Sequence, residues 1–267
     1  MDNKTVEYYN NYVNKLLIDY VGGNPRIIAA IKKAQRWVPQ NAKSILDIGC
    51  GIGWTTHELA YHRGQSKVLG VDLSPDLIRT AKTLFQLNNL SYDVHDLTEM
   101  KLGGAFDAVV MIDVYEHIAV SDRRVFHGAL ANIMKPNFGR LIITCPSVYH
   151  QAYLRNHVKD DLQPIDEDVD LSALLMVASD IGAELIHFEY INVWSSYDYI
   201  HVVMDRNVNY AHGACVDKNE EFEIEDEASR KNRALKMYPE LKGELKDDVG
   251  FMKRAKRKVT KILSIRK

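Results

Sequence analysis

Short apolar runs alternate with helical patterns between residues 44 and 206, and this alternation constrains the fold more than any other feature. It is typical of a mainly parallel sheet with helices on both faces. The last two predicted strands follow each other without room for a helix, so we expect an antiparallel hairpin there. The sequence predicts an α/β fold whose ligands bind at the carboxyl ends of the strands. The seven predicted strands are Ser44–Ile48, Lys67–Asp72, Leu90–His95, Ala108–Ile112, Arg140–Thr144, Glu184–Tyr190 and Asp198–Met204, and the helices between them are Trp54–Tyr61, Pro75–Leu87, Asp122–Met134 and Leu171–Gly182.

Composition excludes several classes of protein. The 267 residues, 46% of them hydrophobic, allow one large α/β domain or two small ones. A formal net charge of −2 provides no global basic field for nucleic acid. Three cysteines without a Cys-x-x-Cys pair argue against a disulfide framework or a cysteine-rich zinc module, and favour a reducing cytosol. No window reaches the roughly 18 to 20 apolar residues of a membrane span, and the N-terminus lacks a secretory pattern, so we expect a cytoplasmic protein.

The first predicted strand runs into a glycine-rich turn with the sequence DIGCGIG, and a helix follows. Gly49, Gly51 and Gly53 allow the backbone to approach a ligand closely and to adopt turns closed to other residues. A dinucleotide site would have glycine where Trp54 stands. Asp47, two residues before the first glycine, can accept a hydrogen bond from a ligand ammonium. Taken alone, the turn is equally compatible with an ordinary strand-to-helix connection.

The second and third predicted strands also lead into acidic residues. Asp72 can accept hydrogen bonds from both hydroxyls of a ribose, or it can cap the helix that starts at Ser74, although Ser74 is itself a good cap. Asp96 can accept from an adenine amino group, or it can be an ordinary loop residue. Three successive strands leading into acids are much harder to explain by coincidence than any one of them.

These segments together resemble a known family. LDIGCGIG, VLGVDLS, VHDL, FDAVVMIDVYEHI and KPNFGRLIITCPS resemble, in order and spacing, the motifs of class I S-adenosylmethionine-dependent methyltransferases, with ubiquinone-pathway and small-molecule O-methyltransferases the most similar in kind. The resemblance covers about residues 40 to 206 and implies a Rossmann-like, seven-stranded sheet with an antiparallel last strand. It implies S-adenosylmethionine as methyl donor, with Asp47 at the amino group, the glycine turn at the methionine part, Asp72 at the ribose and Asp96 at the adenine. The implied donor-binding set is Asp47, Gly49, Gly51, Gly53, Asp72, Leu73, Asp96, Leu97 and Asp113.

The segment Asp113-Val-Tyr-Glu116-His117 follows the fourth strand, where donor and acceptor are expected to meet. A hydroxyl acceptor ionises poorly at neutral pH, so a base or a metal would help. His117 is the candidate general base, with Asp113 or Glu116 orienting it; alternatively, Glu116 and His117 are structural partners of nearby backbone. The acid-x-x-Glu-His order also resembles that of methyltransferases that hold a divalent ion, with His150 or His157 as a further ligand. No metal is assigned.

Residues 147 to 170 form an insertion between the fifth strand and the next helix. Its polar and aromatic residues predict an acceptor pocket, with Tyr149, His150, Arg155 and His157 as candidate substrate-binding residues. The alternative is a solvated loop and helix. The acceptor expected here is a hydroxyl of a small molecule or of a glycan or lipid-linked intermediate.

The two ends of the chain differ from the centre. Residues 1 to 43 predict helices that cap the central segment at 44 to 206, as a donor lid or as core packing. The extension from 207 to 267 has an acidic run at 217 to 227 and ends in a basic amphipathic helix at 251 to 267. That helix suits an anionic membrane surface, a docked position on the protein itself, or, with less support, nucleic acid, which we do not expect as a partner.

Two classes of function remain open. One is an active methyltransferase that uses in-line displacement on a hydroxyl, with nitrogen or carbon of a small metabolite as a variant. The other is a catalytically silent donor-binding scaffold at a membrane. The intact glycine turn with Asp47 and Asp72 favours the active enzyme.

Overall fold

The computed structural model describes residues 8–96, 102, 104–159, 162–206 and 223–247. Helices and strands alternate along most of these ranges. In chain order they are α1 (Val13–Gly22), α2 (Pro25–Trp37), β1 (Ser44–Ile48), α3 (Trp54–His62), β2 (Lys67–Asp72), α4 (Pro75–Leu84), β3 (Leu90–Val94), β4 (Ala108–Ile112), α5 (Arg123–Ile133), β5 (Arg140–Pro146), α6 (Val148–His157), α7 (Leu171–Ile181), β6 (Ala183–Ile191), β7 (Tyr199–Arg206), α8 (Glu227–Met237) and α9 (Leu241–Asp247).

The strands form one seven-stranded sheet in the order β3-β2-β1-β4-β5-β7-β6. The strands from β1 to β5 pair in parallel, and β7 is antiparallel to both of its neighbours. The predicted seven-stranded α/β fold, with its antiparallel last strand, is therefore confirmed. Ile48 of β1 aligns with Val71 of β2 and with Met111 of β4. The carboxyl ends of these three strands consequently lie together at one edge of the sheet.

Alternation along β1 supplies both faces of the sheet. Leu46 and Ile48 belong to one apolar cluster with residues of α5 and α7, whereas Ile45 belongs to another with residues of α2 and α3. Because both faces are covered, the five inner strands are buried along most of their length, whereas the edge strands β3 and β6 are more exposed. Asn24 caps α2 by accepting from the Arg26 backbone N–H at 3.0 Å, and Pro25 occupies the first helical turn, where its fixed φ suits a helix start.

The C-terminal segment at 223–247 packs against α1 and α4. Its anchor is Arg230, which is 6% exposed. The Arg230 Nε donates to the backbone oxygen of Tyr20 at 2.8 Å, and the guanidinium also donates to the backbone oxygen of Glu225. The same guanidinium lies over the ring of Trp54, 5.5 Å from its centroid. The segment thus stabilises the N-terminal helices that cover the carboxyl edge of the sheet.

Several boundaries differ from the predicted ones. Helix α4 ends at Leu84 rather than at Leu87, because Phe85 adopts an extended conformation. Helix α6 begins directly after β5, where Ser147 accepts from the His150 backbone N–H. Within the described ranges, no helix is both long and apolar enough to cross a membrane. The basic helix predicted at 251–267 and the acidic residues 217–222 lie outside the described residues.

Candidate functional site

A cavity lies at the carboxyl ends of β1, β2 and β4, where the chain crosses from one half of the sheet to the other. Ligand sites of open α/β sheets form at such switch points. The N-terminal segment contributes Tyr9, Tyr12 and Lys15 to the wall, and the insertion contributes residues 163–165. The predicted site residues that line the cavity are Asp47, Gly49, Gly51, Asp72, Leu73, Asp113 and His117.

The glycine turn requires glycine at three positions. Gly49, Gly51 and Gly53 have φ angles of 68°, 55° and 85°, in the left-handed region that side chains disfavour. A Cβ atom on Gly49 would overlap the Val114 side chain, and one on Gly53 would lie 2.5 Å from the Tyr92 hydroxyl oxygen. The turn is therefore a close-packed cradle whose backbone borders the cavity.

Asp72 bridges the turn and the start of α4. Its Oδ2 accepts from the Gly51 backbone N–H and its Oδ1 from that of Ser74, each at 2.9 Å. Ser74 itself caps α4 by accepting from the Leu77 N–H. A carboxylate offers about four acceptor positions, so lone pairs remain for a ligand after these two bonds. Asp72 is 7% exposed, and burial raises its pKa above the ordinary value for aspartate.

Asp47 is the second buried carboxyl group of the cavity. Its Oδ2 accepts a hydrogen bond of 2.6 Å from the Thr56 hydroxyl, and the residue is 1% exposed. Burial raises the pKa of Asp47 to about 7, and the negative charge of Asp72 contributes to the rise. Two buried acids near each other are costly unless a cation compensates them. The donor-side wall is therefore complementary to a positively charged ligand.

An ion pair connects the N-terminal helices to the turn after β4. The guanidinium of Arg26, in the first turn of α2, pairs with the Asp113 carboxylate, and both residues line the cavity. Asp113 has a φ of 54°, an uncommon conformation for a residue other than glycine. Its backbone N–H donates to the Thr144 oxygen at 2.8 Å and holds the turn in place. Such backbone outliers cluster at functional sites.

A buried acid–histidine cluster lies on the same turn. The Nδ1 of His117 is 2.7 Å from the Ile165 backbone oxygen and 3.2 Å from Asp166 Oδ1, and its Nε2 is 3.7 Å from Glu116 Oε1. Glu116 is 1% exposed, and neither of its carboxylate oxygens has a hydrogen-bond partner within the described residues. Burial raises the pKa of Glu116. Burial opposes protonation of His117, but Glu116 and Asp166 outweigh it and raise the pKa of the imidazole.

The N-terminal segment covers the cavity through two side-chain contacts. The Tyr9 hydroxyl donates to Gln163 Oε1 at 3.1 Å, which connects this segment to the insertion. The Ser74 hydroxyl donates to Asn10 Oδ1 at 2.5 Å, which connects the segment to the start of α4. The cover is therefore attached both to the insertion and to the start of α4.

Other predicted site residues lie away from the cavity wall. Gly53 caps α3 just behind the turn, and Asp96 is half-buried beyond the end of β3. Leu97 lies outside the described residues. The four candidate substrate residues do not line this cavity. In the order of the chain, Tyr149 packs on Tyr190, His150 on Trp194 and Tyr199, Arg155 pairs with Asp168, and His157 packs on Tyr153.

Some wall residues were not predicted from the sequence. Arg26 follows a helix start signal and carries no motif, and Gln163 and Ile165 lie in a polar insertion without periodicity. Only the position of the insertion, after a strand whose carboxyl end borders the site, pointed to this region. In the part of the chain that the structure describes, no group of three or more His, Cys, Asp or Glu side chains is arranged to hold a metal ion.

Comparison with known proteins identifies the central segment. A family model described as a methyltransferase domain matches residues 45–137. A curated relative, the ubiquinone biosynthesis O-methyltransferase of Neisseria meningitidis serogroup C, is 30% identical over 131 residues, which are 47% of this chain and 48% of the relative. The chain thus spans about half the length of the curated relative that it matches.

Solved structures share the fold. A TehB-like S-adenosylmethionine-dependent methyltransferase from Corynebacterium glutamicum superimposes with a TM-score of 0.56 at 21% identity, over 75% of this chain and 99% of the other. The N-methyltransferase NodS from Bradyrhizobium japonicum, in complex with S-adenosyl-L-homocysteine, gives a TM-score of 0.52 at 16% identity, over 62% of this chain and 79% of the other. At these identities the comparison establishes the fold alone.

Proposed function

We propose that this chain, whose residues 45–137 match a methyltransferase-domain model, is a class I S-adenosylmethionine-dependent methyltransferase that methylates a hydroxyl group of a small molecule. The observation that carries the proposal is the cavity itself. The cavity is lined by a glycine cradle with two buried acids, Asp47 and Asp72, and also by His117. The distant ubiquinone-pathway relative supports oxygen as the methylated atom.

The donor side fits S-adenosylmethionine on three counts. Asp72 retains free lone pairs for the two ribose hydroxyls after accepting from Gly51 and Ser74. The Asp47 carboxylate compensates the positive charge at the amino end of the methionine part. That positive charge in turn favours the ionised form of Asp47, which burial disfavours. Arg26 and Lys15 line the same cavity and supply positive charge for the methionine carboxylate. When bound, the sulfonium donor supplies an electrophilic methyl group that needs only an aligned nucleophile.

The acceptor side supplies a proton acceptor and orientation. His117 borders the cavity, with Nδ1 already engaged by the Ile165 oxygen, so Nε2 receives the hydroxyl proton. Glu116 beside Nε2 stabilises the imidazolium that forms. Proximity and orientation in such a site contribute several kcal/mol, up to about 7 to 11 in ideal intramolecular cases. A positioned base contributes about 10²- to 10⁴-fold in rate.

The ends of the chain have supporting roles in this proposal. In the N-terminal segment, the described residues from 8 to 43 cover the donor, since Tyr9, Tyr12 and Lys15 border the cavity and Tyr9 contacts the insertion. The helices at 13–37 and the segment at 223–247 are appended to the methyltransferase segment at 44–206. The basic residues at 251–267 would bring the protein to an anionic membrane surface, where an acceptor with a lipid part would be available.

Binding and transfer are tested separately. Calorimetry with S-adenosylhomocysteine tests the donor site. Methyl-tritiated S-adenosylmethionine, incubated with the full chain and a small-metabolite, lipid or glycan fraction, tests transfer. We expect label in an alkali-stable product with wild type and at least about a hundredfold less with His117→Ala. Donor binding without transfer to any fraction would instead favour the silent scaffold, and label on nitrogen or carbon would correct the acceptor class.

A further inference from the structure

A short part of the insertion fastens onto the turn that carries His117. Residues 163–168, the clamp segment, lie against residues 113–118. The Glu167 backbone N–H donates to the Glu116 backbone oxygen at 2.8 Å. The Arg123 guanidinium, which is buried, donates to the Asp168 backbone oxygen at 3.3 Å through both terminal nitrogens. The clamp segment is therefore held by a hydrogen bond to the backbone of residue Glu116 and by hydrogen bonds from the Arg123 side chain.

Asp166 occupies the centre of this segment and makes two kinds of contact. Its Oδ1 lies 3.2 Å from His117 Nδ1, and its Oδ2 accepts from the Gln163 backbone N–H at 2.7 Å. The second contact folds the segment so that the Ile165 oxygen also reaches His117 Nδ1, at 2.7 Å. Asp166 thus acts on the imidazole directly, and indirectly by shaping the loop that presents a second acceptor. The side chains of both Asp166 and His117 are largely buried, at 9% and 12% exposure.

We propose that Asp166 is a positioning residue that holds the proton of His117 on Nδ1 and leaves Nε2 as the basic nitrogen of the acceptor site. A histidine ring has one donor and one acceptor nitrogen when neutral, and the partner of one nitrogen decides which form is present. Two oxygen acceptors at Nδ1 select the Nδ1–H form. The role of Nε2 as a base rests on the proposed function, whereas the position of the proton on Nδ1 does not.

The charge of Asp166 suits this role. Burial disfavours its ionised form, but the hydrogen bonds from His117 and from the Gln163 backbone outweigh burial and lower its pKa. An ionised Asp166 stabilises the imidazolium that forms when His117 accepts a proton. In the proposed methyl transfer, the acceptor O–H gives its proton to Nε2 of His117 while a lone pair of the acceptor oxygen forms the new bond to the methyl carbon. The electron pair of the broken carbon–sulfur bond remains on sulfur, which becomes a neutral thioether.

The proton position on His117 can be measured without donor or acceptor. The full chain is labelled with ¹⁵N-histidine, and the His117 signals are assigned by their loss in His117→Gln among the ten histidines. Spectra above the titration of His117 report the tautomer, and a pH series reports the pKa. The variants are Asp166→Ala and Asp166→Asn. The matched control is Asp168→Ala, because the half-exposed Asp168 side chain pairs with Arg155 two residues further along the same segment.

We expect wild type and Asp168→Ala to show the Nδ1–H form. Asp166→Ala should show a substantial Nε2–H population. Asp166→Asn should retain Nδ1–H, since its amide oxygen can still accept, but should titrate at lower pH than wild type because the negative charge is gone. The proposal is overturned if Asp166→Ala leaves the tautomer unchanged, if Asp166→Asn fails to retain it, or if Asp168→Ala changes it equally. Loss of methyl transfer with the expected spectra would instead refute the proposed reaction alone.

Discussion

Replacing Asp72 by asparagine tests the donor side of the cavity most informatively. The Asp72 carboxylate accepts one backbone N–H on each oxygen, from Gly51 and from Ser74. Asparagine has a single oxygen, so one of these N–H groups loses its partner. An unpaired buried N–H costs about 1 to 3 kcal/mol. Burial disfavours the ionised carboxylate and raises the pKa of Asp72, so removing the charge offsets part of that loss.

Donor affinity should fall further than stability. A hydrogen bond to a charged group contributes about 1.5 to 3 kcal/mol, and asparagine loses at least one such bond to the ribose. A loss of about 2 kcal/mol corresponds to a dissociation constant for S-adenosylhomocysteine that rises about thirtyfold. Isothermal calorimetry measures this constant, and urea denaturation measures the accompanying change in the free energy of unfolding.

The matched control is Asp76→Asn, which makes the same change of charge four residues away. The Asp76 side chain is 38% exposed and forms a surface ion pair with Arg79 at 2.7 Å. We expect the affinity of Asp76→Asn for S-adenosylhomocysteine to remain within about twofold of that of wild type. The loss of stability should also be small, since a surface ion pair contributes at most about 1 kcal/mol. The reasoning is refuted if folded Asp72→Asn binds as tightly as wild type, or if Asp76→Asn weakens binding equally.

Three further predictions concern the same site and its support. Burial raises the pKa of Asp47 to about 7, and the ammonium group of S-adenosylhomocysteine prefers the carboxylate. This ligand should therefore bind about tenfold more weakly at pH 6 than at pH 8 in calorimetry, and Asp47→Asn should remove this dependence. Without ligand the sign is opposite: the free energy of unfolding of wild type, taken relative to Asp47→Asn, should fall as pH rises from about 4 through 7; a flat difference would contradict the raised pKa. Gly49→Ala should lower the free energy of unfolding by at least about 2 kcal/mol and abolish donor binding. Its control, Gly128→Ala, lies at an exposed helical position with open space around it and should raise the free energy of unfolding by up to about 1 kcal/mol. Equal effects of the two substitutions on stability would refute the close-packed cradle. Arg230→Ala should lower the free energy of unfolding by about 3 kcal/mol, because its hydrogen bonds to the backbone are lost. Lys231→Ala, at the exposed neighbouring position, should lower it by less than about 0.5 kcal/mol. A larger loss of stability with Lys231→Ala than with Arg230→Ala would contradict the anchor role.

The sequence predicted the sheet because its signals are local. Each strand is a short apolar run with a helix or a hairpin after it, and burial on both faces keeps such runs continuous. The positions of Asp47 and Asp72 near one another follow from the parallel pairing of β1 with β2. Any chain with acids at the ends of adjacent parallel strands would bring them to the same edge.

The surroundings of His117 could not be predicted in the same way, because they are formed by contacts that the sequence does not encode locally. Arg26 meets Asp113 only because the first turn of α2, a helix that packs on one face of the sheet, lies at the carboxyl edge. Asp166 meets His117 because the insertion folds back beneath the turn after β4, a contact between residues 49 positions apart in sequence. Helix α6 was also not predicted, because its only buried side chain is that of Gln151 and its tyrosines face outward. Neither periodicity nor motif identifies such long-range pairings.

A single pocket is expected to hold S-adenosylmethionine between the glycine turn and His117. A crystal structure of the full chain with S-adenosylhomocysteine tests it most directly. We predict ribose hydroxyls within about 2.6 to 3.2 Å of the Asp72 carboxylate, with the amino group directed toward Asp47 and the sulfur directed toward the His117 side of the cavity. Electron density for the ligand elsewhere, with an empty glycine turn in crystals saturated with it, would contradict the account.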